Sequence, residues 1–261
     1  MQKQNKLDIA KIFRTGHISF VKNFSKSSLE NLEFALTIGF ENAVQSGNLK
    51  NIKFLLSSKE IVKNTDIHYE NDYALSFSAL NGHLETVKYL LTSKELKEHS
   101  NIHVGGNSSL RWASQANHLN VVEYLLSSPE LKEHANINLA SSITGSNAFM
   151  EACELNSLDV ARYLSQRQDL DSKKALYNLN RDGKDGFILA CENLDKSTDI
   201  IDFIVFEMNF QPTEIHNKYF NDNENHKNIS YAKKIISIRD LNEKLSSDLI
   251  NKKWISAKIK I

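Results

Sequence analysis

The sequence predicts an all-α fold, a solenoid of about six helix pairs that ends in a helical C-terminal cap. Three observations predict it: one stretch recurs at a fixed spacing, each copy carries an apolar stripe of helical period, and helix-breaking residues are scarce. The 261 residues include only 2 prolines and 9 glycines. This composition is typical of helices joined by short turns, and not of flexible linkers.

The recurring stretch occurs three times in the first half of the chain. The copies are NLKNIKFLLSSKEIVKNTDIH from Asn48, HLETVKYLLTSKELKEHSNIH from His83 and HLNVVEYLLSSPELKEHANIN from His118. Their starts, at 48, 83 and 118, are 35 residues apart both times. A fixed period of this length indicates a solenoid, in which each unit packs only on its neighbours.

Each copy belongs to a unit that predicts two helices. In the second copy, Leu84, Val87 and Leu91 lie on one face of a helix. A helix rich in small residues, ALSFSA at 74–79, precedes it, and Asn81-Gly82 breaks the chain between the two. The inserted segments KEIVKN, KELKEH and PELKEH, at 59–64, 94–99 and 129–134, predict one additional helical turn on the outer side of each unit.

These patterns resemble ankyrin repeats, whose usual form is G-x-T-P-L-H-x-A-A-x-x-G-H-L-x-V-V-x-x-L-L. The Thr-Pro pair of that form is absent from the units. In the usual form a glycine lies between the two helices, and this position sets the register. In successive units of this chain the position is occupied by Gly16, Gly47, Gly82, Asn117, Asn156 and Lys196. The long units are similar to those of ankyrin proteins from intracellular bacteria and amoebal viruses. The resemblance implies an N-terminal capping ankyrin-like unit in 1–33, ankyrin repeats in 34–211, and a C-terminal helical cap with a basic tail in 212–261.

Charge and hydropathy argue against two classes of function, nucleic-acid binding and insertion into a membrane. Lys and Arg number 32, Asp and Glu also 32, so the net charge is zero and nucleic acid is not an expected partner. We expect no transmembrane helix and no secretory signal, because no long apolar run occurs. The two cysteines, Cys153 and Cys191, cannot form a disulfide framework. They favour a reducing compartment, the cytoplasm.

No motif predicts catalysis, a cofactor or a metal. The sequence lacks a glycine-rich phosphate loop, HExxH, CxxC and GxSxG. The histidines recur with the repeat, at His68 and His103 for example, and equivalent positions of stacked units lie too far apart to share one metal. We expect Cys153 and Cys191 to fill small buried sites, and Trp112 to pack in the core.

The register implies which residues face a partner. In ankyrin proteins, partners usually contact the turn tips and the exposed side of the first, inner helices. Carried over residue by residue, the predicted partner-binding residues are Tyr69, Glu70, Asp72, Asn107, Gln115, Ser146, Glu154, Arg181, Asp182 and Lys184. Tyr and Arg are the residue types that most often dominate the binding energy of an interface.

The predicted function is therefore non-enzymatic binding of a partner protein through the concave ankyrin surface. The resemblance suggests a bacterial effector or a viral host-interaction protein, cytoplasmic and delivered into a host cell. The alternative is an enzyme, or lipid or nucleic-acid binding, in residues 212–261. The basic tail there, with Lys252, Lys253, Lys258 and Lys260, would bind a membrane only weakly.

Overall fold

A computed structural model of the chain describes residues 29–57, 67–167, 176–193 and 198–258. The predicted N-terminal capping unit, the insert at 59–64 and the junction at Lys196 lie outside these residues wholly or in large part. The helices that the structure describes are α1 Leu29–Gln45, α2 Leu49–Ser57, α3 Tyr69–Leu80, α4 Leu84–Thr92, α5 Val104–Gln115, α6 Leu119–Ser127, α7 Ala148–Glu154, α8 Leu158–Ser165, α9 Gly186–Glu192, α10 Asp199–Asp202, α11 Glu214–Asp222 and α12 Lys227–Lys258.

The described elements confirm the all-α prediction. A π-helical turn, Phe203–Glu207, continues α10 directly. The described residues contain no strand, and their one β-type pairing is an isolated antiparallel bridge between Ala140 and Asn147. The helices follow one another as pairs, a first helix (α1, α3, α5, α7, α9) and a second helix (α2, α4, α6, α8, α10).

The predicted apolar stripes form the core between the paired helices. Val87 and Leu90 of α4, and Val122 and Leu125 of α6, are fully buried. The small residues of the first helices, such as Ala74 and Ala113, are buried as well. Small side chains let successive first helices lie close together, and the stripes fill the space behind them.

Glycine or asparagine has a left-handed backbone at the junction of each of the first four pairs. The φ angles of Gly47, Gly82, Asn117 and Asn156 lie between 58° and 72°. A Cβ at Gly82 would also lie only 2.5 Å from Nδ1 of His118. The side chains of Asn117 and Asn156 accept hydrogen bonds from the backbone N–H groups of Val160 and Ile200, both at 3.2 Å. The predicted register is therefore correct at these four junctions.

The inserted segments at 94–99 and 129–134 are turns, so the prediction of an extra helical turn was wrong for both. Ser93 and Ser128 end the second helices with extended ψ angles of 126° and 127°. Their hydroxyl oxygens accept hydrogen bonds from the N–H groups two residues later, at 3.2 and 3.3 Å. This local bond competes with helical hydrogen bonding, and it explains why the helix stops.

The first helices contact one another far more extensively than the second helices do. The first helices therefore lie side by side and form one face of the stack. We call this face, with the turn tips that precede each first helix, the first-helix side.

After the π-helical turn, α11 and α12 continue the stack, and α12 packs on α9, α10 and the π-helical turn. Asn228 donates a hydrogen bond to the Asn193 carbonyl at the end of α9, at 2.6 Å. Ser157 makes the equivalent bond to the Gln115 carbonyl at the end of α5. Beyond its packed part, α12 is exposed from Leu241 to Ser247. That this segment serves as a cap stays a prediction.

Candidate protein-binding surface

The turn tips of the fifth and sixth predicted units are joined by a backbone hydrogen bond. The N–H of Arg181 donates to the carbonyl of Thr144 at 2.8 Å, and Gly145 has a φ of 76° at this point. A Cβ at Gly145 would lie 3.0 Å from the Arg181 nitrogen. The tips of these two units are thus held in a fixed relation, which lowers the ordering cost of binding across them.

Seven of the ten predicted partner-binding residues have side chains that reach solvent. Glu70, Arg181 and Asp182 are exposed, whereas Tyr69, Gln115, Glu154 and Lys184 are half-buried. All seven lie on the first-helix side, at turn tips or along the first helices.

The other three predicted residues are buried. Asp72, Asn107 and Ser146 are at most 4% exposed. Asp72 lies 2.9 Å from Nδ1 of His68, and Asn107 donates to the Asn136 carbonyl at 2.6 Å. Their polar groups hold the turns in place, because buried polar atoms need partners. We therefore assign them a supporting role in the turns and not direct contact with a partner.

Lys184 and Glu192 form an ion pair at the edge of this surface. Nζ of Lys184 lies 2.8 Å from Oε2 of Glu192, and this hydrogen bond raises the pKa of Lys184. Tyr219 of α11 donates to the other carboxylate oxygen at 3.0 Å. The carboxylate of Glu192 is thus already engaged within the chain.

A second pair, Arg111 and Glu151, is buried where α5 meets α7. The two side chains are 8% and 10% exposed and are joined at 3.0 Å. The guanidinium of Arg111 also donates to the carbonyls of Gly105 and Gly106. Burial raises the pKa of Glu151, although the charge of Arg111 opposes this shift. The pair fixes the α5 turn to the next unit, and neither group is free for a ligand.

Three aromatic residues of the first-helix side were missed or misplaced by the sequence analysis. Tyr73 and Phe77 of α3 and Trp112 of α5 are half-buried. Trp112 was expected in the core, yet it stands edge-on to Phe77 with ring centroids 5.2 Å apart. The four-residue spacing of Tyr73 and Phe77 within the regular part of α3 is the signal that could have predicted a shared face for these two rings.

The cysteines and histidines have structural roles. Cys153 and Cys191 are fully buried free thiols, as predicted, and burial raises the pKa of both. His83 bridges two units through its Nε2, 2.9 Å from the carbonyl of Gln45. His99 and His134 each lie within 3.0 Å of the serine carbonyl that begins their turn. Within the described ranges no group of His, Cys, Asp or Glu is arranged to hold a metal ion.

His216 is the third residue of α11 and the most enclosed of the described histidines, at 2% exposure. The backbone N–H of Thr213 donates to its Nδ1 at 3.0 Å, and its Nε2 lies 2.7 Å from Oδ2 of Asp185. Because Nδ1 accepts, Nε2 carries the proton and donates to the carboxylate. Thr213 and His216 occupy the Thr and His places of the Thr-Pro-Leu-His motif, which the sequence analysis had not recognised here.

No helix in the described part of the chain is long and apolar enough to cross a membrane. The side chains of the basic tail are not described.

Comparison with known proteins agrees with the geometry. The family model described as ankyrin repeats (3 copies) matches residues 40–138. That stretch runs from the last part of α1 through α6 and includes the recurring sequence. No curated protein matches the chain. Paired helices, left-handed junctions, inter-unit bonds and the family match lead to one conclusion: residues 40–138 contain ankyrin repeats.

Proposed function

We propose that the chain is a non-enzymatic protein-binding module that holds a partner protein against the first-helix side. The observation that carries the proposal is the continuity of this surface. Its first helices pack side by side and its tips are hydrogen-bonded between units, as Arg181 is to Thr144. Such a surface is rigid before the partner arrives, so less entropy is lost on binding.

The partner-binding residues that we propose are the seven whose side chains reach solvent. Tyr69 and Arg181 stand far apart along the stack, at the third and sixth predicted units. An interface of standard size, about 1,600 Å² in total, covers this span. We expect these two side chains to contribute most, because Tyr and Arg are enriched among residues that dominate binding.

The proposed location is the cytosol, which the two free, buried thiols support. A role as a bacterial effector or viral host-interaction protein is the proposed biology. It rests on the resemblance of the long units alone.

The test begins with affinity capture from host-cell lysate and continues with calorimetry on the captured partner. We expect Tyr69→Ala and Arg181→Ala each to weaken binding by more than about 1 kcal/mol. Lys97→Ala and Lys132→Ala, in the exposed turns that follow the second helices, are matched controls and should leave the affinity unchanged. Circular dichroism must show that all four variants fold. If the Lys97 and Lys132 variants lose affinity and the other two do not, the proposed face is wrong.

A further inference from the structure

Four aromatic rings form a continuous strip on the first-helix side, along the second and third described helix pairs. Ring centroids are 6.3 Å apart for Tyr69 and Tyr73, 4.1 Å for Tyr73 and Phe77, and 5.2 Å for Phe77 and Trp112. All four rings are half-buried, so each keeps part of its surface in contact with solvent. We call Tyr69, Tyr73, Phe77 and Trp112 the aromatic strip.

Two carboxylates flank the aromatic strip at its Tyr69 end. The hydroxyl of Tyr69 donates to Oε1 of Glu41 at 3.3 Å, and Glu70 follows Tyr69 in the turn. Burial and the negative charges of Glu70 and Glu41 raise the pKa of Tyr69 to about 12. Both carboxylates therefore act on the first ring of the strip.

Neither carboxylate has a cationic partner among the described residues. Two other carboxylates of the same side do have a cationic partner, since Glu151 pairs with Arg111 and Glu192 with Lys184. No described Lys or Arg lies over the four rings either, although Lys53 and Lys88 lie over the rings of Tyr89 and Tyr124 elsewhere. Among the described residues, the strip thus combines partly exposed ring surface with two carboxylates that have no cationic partner.

We propose that the aromatic strip, with Glu41 and Glu70, binds an arginine side chain from a basic segment of the partner protein. This inference rests on the proposed function and names the chemistry of the partner. A guanidinium is planar, stacks on aromatic rings and donates to carboxylates, so one side chain satisfies both features of the site. An apolar side chain would instead remove water from two carboxylates without replacing their hydrogen bonds.

The test uses fluorescein-labelled nonaarginine as the probe and its nonacitrulline analogue, which has nearly the same shape without charge. Fluorescence anisotropy at about 150 mM salt limits long-range electrostatic effects. We expect the wild-type protein to bind nonaarginine and not nonacitrulline. Glu41→Gln with Glu70→Gln should weaken nonaarginine binding at least about tenfold, and Phe77→Leu with Trp112→Leu should do the same.

A matched control separates the site from overall charge. Glu123→Gln with Glu224→Gln removes the same two charges from exposed positions outside the strip, and we expect binding within about twofold of wild type. Trp112 also locates the probe, because Trp254 is the only other tryptophan and can be replaced in a Trp254→Phe background. Nonaarginine should change the Trp112 emission in that background. Equal affinities of the two double Gln variants, no binding of nonaarginine, or unchanged Trp112 emission would each overturn the proposal.

The same variants distinguish this inference from the proposed function. If Arg181→Ala weakens capture of the natural partner and the Glu41/Glu70 variant does not, the face is correct and the arginine site is wrong. If nonaarginine binds the strip and the Glu41/Glu70 variant weakens capture of the partner but Arg181→Ala does not, the arginine site stands and the proposed surface extending to Arg181 fails.

Discussion

Glu70, Asn71 and Asp72 have left-handed backbones in succession, with φ angles of 45°, 58° and 56°. The equivalent residues of the next unit are Gly105, Gly106 and Asn107, with φ angles of 58°, 67° and 56°. A left-handed conformation costs about 1–2 kcal/mol for most residues other than glycine. The same turn is therefore strained at Glu70 and relaxed at Gly105.

Glu70→Gly should consequently stabilise the fold, by about 1 kcal/mol in the free energy of unfolding once the added freedom of the unfolded chain is subtracted. Urea denaturation followed by circular dichroism measures the change. Gly106→Ala is a control that should destabilise the fold, because its Cβ would lie 2.2 Å from the carbonyl oxygen of Ala140 in the next unit. A lower urea midpoint for Glu70→Gly would contradict the strain argument.

The buried thiols make stability depend on pH. Burial raises the pKa of Cys153 and Cys191 above the ordinary value of 9.0, so both remain protonated in the folded state. In the unfolded chain they ionise near that value. The stabilisation is thus complete below about pH 9 and declines as the pH rises further.

Between pH 8 and pH 10 the free energy of unfolding should fall more steeply for the wild type than for the double variant Cys153→Ala/Cys191→Ala. We expect the additional decrease to be about 1 kcal/mol for each thiol. Urea titrations at several pH values measure this difference in slope. The variant itself should lose about 1 kcal/mol or less for each small truncation at neutral pH. Parallel pH profiles of the two proteins would show that the thiols ionise in the folded state.

At the scale of the element, helix ends are set by side chains that bond their own backbone. Ser93 and Ser128 stop α4 and α6, and Asn147 and Asp185 begin α7 and α9 by accepting from the N–H three residues later, at 2.9 Å in both cases. Thr213 begins α11 in a capping box with His216. The cap of α11 is also tied to the preceding unit, because His216 bonds to Asp185.

Thr213→Ala should therefore cost about 1 kcal/mol of stability through the lost cap. His216→Ala should cost more, roughly 2–4 kcal/mol, because it also leaves the buried Asp185 oxygen without its donor. Thermal and urea denaturation compare these variants with Thr213→Ser, which keeps the hydroxyl and should remain close to wild type. Equal losses for the Thr213 and His216 alanine variants would argue against coupling between the cap and Asp185.

At the scale of the whole molecule, each unit is stabilised by its neighbours, so the last unit depends on the segment C-terminal to it. Phe187 of α9 stacks on Phe210 at 4.0 Å and meets the ring of Phe220 of α11 at 6.1 Å. In α12, Ile229, Ala232 and Ile235 are buried against the end of the stack. Residues 213–236 thus cover apolar surface of the preceding pair.

A chain that ends at Gln211 should expose this surface, bind the dye ANS and associate, because large exposed apolar patches promote association. Light scattering and ANS fluorescence measure both effects. A chain that ends at Ser247 is the matched control. It keeps the packed part of α12 and should stay monodisperse to the same degree as the full chain. If the shorter chain is as stable and as monodisperse as the control, α11 and α12 do not protect the preceding pair.

The sequence by itself determined the repeat, the paired helices, the junctions and the burial of the stripe residues. These features depend on local period and on backbone preference, as at Val87 and Leu90 in the stripe and at Gly82 and Asn117 at the junctions. Each can be read from residues close together in the chain. The family resemblance followed from the same local pattern.

Only the tertiary structure decided which turn residues reach solvent and which rings share a surface. In the sequence pattern, Asp72 and Asn107 stand at turn positions that we expected to reach solvent. In the fold both residues are buried. The ring of Trp112 contacts the ring of Phe77 in the preceding unit, and His216 hydrogen-bonds to Asp185 in the unit before its own. These last two contacts join residues more than 30 positions apart, and they depend on how closely one unit packs on the next, which no local period encodes.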